Sequence, residues 1–66
     1  MNTNGIIIIK NNKEITIKGS KEDLNDLVNI IQKLISSNQN KDHIHIDELT
    51  LINNNSPIKE LVIEKE

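Results

Sequence analysis

A short run of side chains that can ligate metals or move protons lies in the second half of the chain, at His43, His45 and Asp47. Alternation with isoleucine puts the three on one face of a predicted strand, with neighbours about 6.6 Å apart. Two imidazoles at that spacing can converge on one ion, but the outer two positions are too far apart for all three to do so. A metal site would need two of them together with Glu60 or Glu64. We favour the alternative, a solvated or partner-facing side of a strand, and predict no metal and no cofactor.

Nucleophilic catalysis requires a hydroxyl, an imidazole and an orienting acid. Ser56 with His43 or His45 and Asp47 supplies these residue types. A sheet with one helix offers no obvious walls for a reaction pocket, and the Ser-Pro dipeptide is typical of a turn. We therefore predict that the protein is not an enzyme.

Composition excludes several other classes of function. The 66 residues contain no cysteine, no arginine and no aromatic residue, and the net charge is −2. Disulfide scaffolds, zinc fingers and cysteine nucleophiles are excluded. We also predict no nucleic-acid binding, because the chain has no arginine for bidentate phosphate contacts and no Phe, Trp or Tyr ring to stack on bases. The longest apolar run, Ile6 to Ile9, is far too short to span a bilayer. We expect a soluble, cytoplasmic protein that does not bind membranes.

A chain of this length makes one domain, covering residues 1–66. The β-branched run Ile6 to Ile9 and the alternating segment Ile15 to Lys18 flank a polar turn, which predicts a β-hairpin. His43 begins a third predicted strand, and the segment Ile58 to Ile63 predicts a fourth. In that fourth strand, Leu61 and Ile63 share one face and Val62 lies on the other.

A helix is predicted between the second and third strands. Ser20 is a suitable N-cap, so the helix should begin at Lys21, and it should end near Ser36 or Ser37. Its apolar residues recur at spacings of three and four, which makes one stripe: Leu24, Leu27, Val28, Ile31, Leu34 and Ile35, with Ile30 at the margin.

The order β-β-α-β-β predicts an α+β fold, a four-stranded antiparallel sheet with one helix packed on one face. If Ile6 and Ile8 point at the helix, Ile7 and Ile9 point away from it. A strand that is apolar on both faces usually lies between two layers. We therefore expect the open sheet face to bind another protein.

The acidic bias of the C-terminal part indicates either a face for a basic partner or an ordinary charged surface. The candidate partner-binding residues combine apolar anchors, the His-Asp strand and the nearby acids: Ile7, Ile9, His43, His45, Asp47, Glu48, Glu60 and Glu64.

Three strings carry a family resemblance: GSKEDLNDLVNIIQ at residues 19–32, HIHID at residues 43–47 and SPIKELVIE at residues 56–64. Together with the order of elements, they resemble the small immunity proteins of bacterial polymorphic toxin systems, in particular immunity family thirty-two. That family tends to place a turn serine shortly before a Glu-Leu-aliphatic strand. Here Ser56 is separated from Glu60 by Pro-Ile-Lys.

The resemblance implies a protein that binds and neutralises a cognate toxin in the cytoplasm, without catalysis. It provides no catalytic residue to transfer, so the matching His43, His45, Asp47 and Glu60 are candidate contacts only. The alternative is a small structural protein in which Ile7 and Ile9 close a homodimer, with no toxin partner.

Overall fold

The computed structural model describes residues 4–38 and 42–66. Its elements follow the predicted order: β1 (Ile7–Asn11), β2 (Glu14–Lys18), α1 (Lys21–Ile35), β3 (His43–Asp47) and β4 (Glu60–Glu64). The α+β class is confirmed.

β1 and β2 form an antiparallel hairpin, with Ile8 opposite Ile17 and Asn11 opposite Glu14. The two-residue turn between them needs a positive φ, and Asn12 supplies it at 59°. Asparagine tolerates this left-handed conformation better than most residues. Local sequence therefore accounts for the first hairpin.

β3 and β4 form a second antiparallel hairpin. Ile44 lies opposite Ile63 and Ile46 opposite Leu61, and these four side chains face the interior. β4 begins at Glu60, two residues later than predicted, because the preceding Ile58 is held in the turn by its carbonyl, which accepts a hydrogen bond from the Ser56 hydroxyl.

The prediction of one four-stranded sheet is wrong. The described residues form two separate two-stranded sheets. An isolated parallel bridge pairs Ile6, just before β1, with Ile52: the Ile6 amide donates to the Leu51 carbonyl, and the Asn53 amide donates to the Ile6 carbonyl. The segment that follows β3 therefore occupies the edge of β1 where another strand was expected.

Helix α1 begins at Lys21, as predicted, and its N-cap is Ser20, whose hydroxyl accepts a hydrogen bond from the Asp23 amide. The helix ends at Ile35, with Ser36 as C-cap. Within the described ranges, no helix is long and apolar enough to cross a membrane.

The apolar stripe of α1 is only partly covered. Leu34 is buried, and Leu27 and Ile30 pack against the core. Leu24, Val28 and Ile35 on the same helix are exposed. The two small hairpins therefore bury only part of the apolar stripe of α1.

Aliphatic side chains alone build the core. The buried cluster joins the start of β1, the interior face of β3 and the segment after it: Ile6, Ile8, Ile46, Leu51 and Ile52.

Candidate functional site

The outward side of the β3–β4 hairpin gathers most of the candidate residues. The register places His43 opposite Glu64, His45 opposite Val62 and Asp47 opposite Glu60. Residues that are directly opposite in an antiparallel pair point to the same side of the sheet. We call this surface the His face: His43, His45, Asp47, Glu60, Val62 and Glu64.

The two histidines of the His face lie close together, with ring centroids 5.0 Å apart and an edge-to-face angle of 78°. His45 Nδ1 lies 3.2 Å from a Glu60 carboxylate oxygen. Both side chains of that pair are more than half exposed, so water screens the interaction and it contributes little to stability. The described residues contain no group of three or more side chains positioned to hold a metal ion.

Asp47 is both a member of the His face and a brace for the turn that follows. Its side chain accepts a hydrogen bond from the Leu49 amide, and its own amide donates to the Thr50 hydroxyl. Its carbonyl accepts from the amides of Leu51 and Ile52. Replacing Asp47 would therefore disturb the turn as well as the surface.

The braced turn displays Leu49, whose side chain is 93% exposed. No pattern in the sequence singles out Leu49 as a surface residue. Its neighbour Glu48 lies 3.7 Å from the Lys59 ammonium group in a half-exposed ion pair. The turn thus presents an apolar tip beside one end of the His face.

Ser56 does not join the histidines. It is 1% exposed, and its hydroxyl accepts from the Ile8 amide and donates to the Ile58 carbonyl. The residue types of a catalytic triad are present in the sequence, but this hydroxyl is engaged in holding the backbone.

Ile7 and Ile9 lie on the other hairpin. Ile7 is half-buried and Ile9 is 36% exposed, both on the side of β1 opposite the buried Ile6 and Ile8. They do not share a continuous sheet with the His face. The expectation of a single open sheet face that combines both sets is therefore wrong.

A clasp of Ser37, Asp42 and Lys65 holds the end of α1 beside the start of β3. The Ser37 hydroxyl donates to Asp42 at 2.8 Å, and the Lys65 ammonium donates to the Ser37 carbonyl at 2.7 Å. The hydrogen bond from Ser37, followed by one from the His43 amide, lowers the pKa of Asp42. No local pattern in the sequence predicts this clasp.

A shallow depression of about 470 Å³ lies at the β1–β2 turn, lined by Asn11, Asn12, Lys13 and Glu14. None of the candidate partner-binding residues lines it.

Comparison of the chain with protein-family models, curated proteins and solved structures gave no match.

Proposed function

We propose that this chain is a non-catalytic protein-binding module, and specifically an immunity protein that neutralises a cognate bacterial toxin. One observation carries the binding role. The His face presents three carboxylates and two imidazoles around Val62, which is 48% exposed, and these side chains point away from the core. The immunity role rests on the family resemblance of the sequence.

The charge of the His face favours a basic partner. Glu60 and Glu64 are exposed at the two ends of β4, and Asp47 and Glu48 extend the acidic region towards the turn. Acids around a central apolar residue match the usual anatomy of a protein interface, with an apolar centre and a polar rim. Complementary charge speeds association and disfavours wrong partners.

Rigidity supports the same role. The turn after β3 is held by hydrogen bonds to Asp47 and Thr50, and the Ser37–Asp42–Lys65 clasp holds the other end of β3. A surface that is ordered before binding loses less conformational entropy when the partner docks.

Ile7 and Ile9 remain proposed apolar contacts, as a separate patch on β1.

The test uses the protein encoded by the reading frame immediately upstream as the candidate toxin. Titration calorimetry should show binding, and co-expression should abolish the toxin's growth inhibition. Failure of both would contradict the immunity role.

Variants then test the surface. We expect His45→Ala and Glu64→Lys each to weaken binding, the charge reversal by about tenfold. Asp26→Lys, an exposed substitution on α1 with the same change in charge, is the matched control. Binding that is unchanged by both His-face variants would remove this surface from the interface. Asp47→Ala is unsuitable, because it would also release the Leu49 amide.

A further inference from the structure

The outer edge of β2 is an open strand edge. β2 pairs with β1 alone within the described ranges, and every residue of β2 is exposed. The Ile8 amide donates to the Ser56 hydroxyl, and the Ile8 carbonyl oxygen lies 3.3 Å from the same hydroxyl oxygen. Both backbone groups of Ile8 therefore point away from β2, so the facing pair Ile8–Ile17 is a non-hydrogen-bonded pair. The N–H and C=O of Ile17 therefore point away from β1, towards the open edge of β2. Because this direction alternates along a strand, the N–H and C=O of Ile15, two residues earlier, point the same way.

The outer edges of β1 and β3 are partly covered by the protein itself, whereas β4 pairs with β3 alone among the described strands. The edge of β1 is covered by the Ser56 hydroxyl and by residues 51–53. On β3, the His43 amide donates to the Asp42 side chain and the Asp47 amide donates to the Thr50 hydroxyl. Natural sheets commonly block their edges in this way, because unpaired edges recruit further strands.

The sequence of β2 is complementary to itself. Antiparallel pairing about a two-fold axis at Thr16 sets Glu14 opposite Lys18 of a second copy, and Ile15 opposite Ile17. The outward N–H and C=O groups belong to Ile15 and Ile17, so this register also aligns donors with acceptors. The charges, the apolar contacts and the hydrogen bonds therefore all favour this one register of the two β2 strands.

The same pairing is unfavourable for β4. A two-fold axis at Val62 would set Glu60 opposite Glu64 of the second copy, and like charges directly opposite are destabilising. The charges of the two strands thus favour self-pairing at β2 over self-pairing at β4.

We propose that two copies of the chain join through their β2 edges to make a continuous four-stranded antiparallel sheet, in the order β1–β2–β2–β1. Ile15 and Ile17, which are 62% and 38% exposed in the single chain, would pack against their counterparts across the axis. The alternative predicted from the sequence placed the dimer contact on Ile7 and Ile9, whereas this interface uses the strand edge. It leaves the His face of each copy uncovered by strand pairing.

Charge exchange tests the proposal by sedimentation equilibrium over a wide concentration range. The unmodified chain should dimerise, and Glu14→Lys or Lys18→Glu alone should weaken dimerisation by about tenfold, because each sets like charges opposite at both ends of the interface. A mixture of the two single variants should form a heterodimer, and the double variant should regain the original affinity. Asp26→Lys and Lys21→Glu are matched exposed controls on α1.

Amide hydrogen exchange provides a second measurement on the unmodified chain. Protection of the Ile15 and Ile17 amides should rise with protein concentration, while the Thr16 amide, already directed at β1, should change little. A chain that stays monomeric throughout, or a dimer indifferent to both charge reversals, overturns the proposal. Neither result affects toxin capture by the His face, which is measured separately.

Discussion

The Ser56 hydroxyl oxygen lies 2.9 Å from the amide nitrogen of Ile8, a residue 48 positions earlier in the chain. The same hydroxyl donates to the Ile58 carbonyl at 2.7 Å. A single side chain therefore closes the edge of β1 and shapes the turn before β4. Because Ser56 is buried, water cannot replace it.

Ser56→Ala should lower the free energy of unfolding by about 2 kcal/mol, because it leaves the buried Ile8 N–H and the partly buried Ile58 C=O without this partner. Urea unfolding followed by circular dichroism measures the change. Ser36→Ala, at an exposed position on the helix C-cap, is the matched control and should cost far less. Equal losses for the two variants would mean that the Ser56 hydrogen bonds add nothing.

Gly5→Ala should also destabilise the fold, by about 1 kcal/mol or more, because Gly5 has a φ of 106° that an L-side chain rarely adopts. Thermal unfolding measures the effect. The chain is short enough for chemical synthesis, so Gly5→D-alanine is an available control. D-alanine adopts a positive φ readily, so the Gly5→D-alanine chain should retain most of the stability. If D-alanine lowers the stability as much as L-alanine does, the cause is a steric clash of the added methyl group and not the φ angle.

Local signals in the sequence predicted local structure well. The turn at Asn12, the N-cap at Ser20 and the alternation of HIHID each depend on neighbouring residues, and each is found in the structure. Alternation alone also placed His43, His45 and Asp47 on one side of a strand.

The arrangement of the hairpins could not be predicted in the same way. It depends on the pairing of Ile6 with the segment after β3 and on the reach of Ser56 to Ile8, contacts between residues more than forty positions apart. Nothing in the local pattern distinguishes this arrangement from a single sheet. The alternation that puts His43, His45 and Asp47 on one side of β3 was consequently predicted correctly, but the expected continuity of that surface with Ile7 and Ile9 was wrong.

The N-cap of α1 makes a separate contribution. Ser20→Ala removes the acceptor for the Asp23 amide and should cost about 1 kcal/mol. Urea unfolding measures the loss. Ser20→Asp keeps a side-chain oxygen at the cap, beside the positive end of the helix dipole, and should retain the original stability. A similar loss for Ala and Asp would show that the hydroxyl itself, rather than capping, is required.

The Ser37–Asp42 hydrogen bond makes stability depend on pH in a defined direction. The pKa of Asp42 is lowered in the folded chain from its ordinary value of 3.8. The ionised carboxylate therefore contributes stability that is fully present well above pH 3.8 and is lost as the pH falls through the lower, folded pKa. Ser37→Ala removes the largest cause of the shift, so the pKa of Asp42 should rise towards its ordinary value, and the stability difference between the two proteins should shrink in acid.

A carboxyl-detected NMR titration of Asp42, with urea unfolding at neutral and acidic pH, measures both quantities. Ser36→Ala again serves as the control, because its exposed side chain is one position away and should leave the Asp42 titration unchanged. A stability difference between the unmodified chain and Ser37→Ala that stays constant across the acidic range would contradict the linkage. In that case the hydroxyl would stabilise the chain without favouring the ionised form of Asp42, since only a differential interaction with the two protonation states can produce a slope with pH.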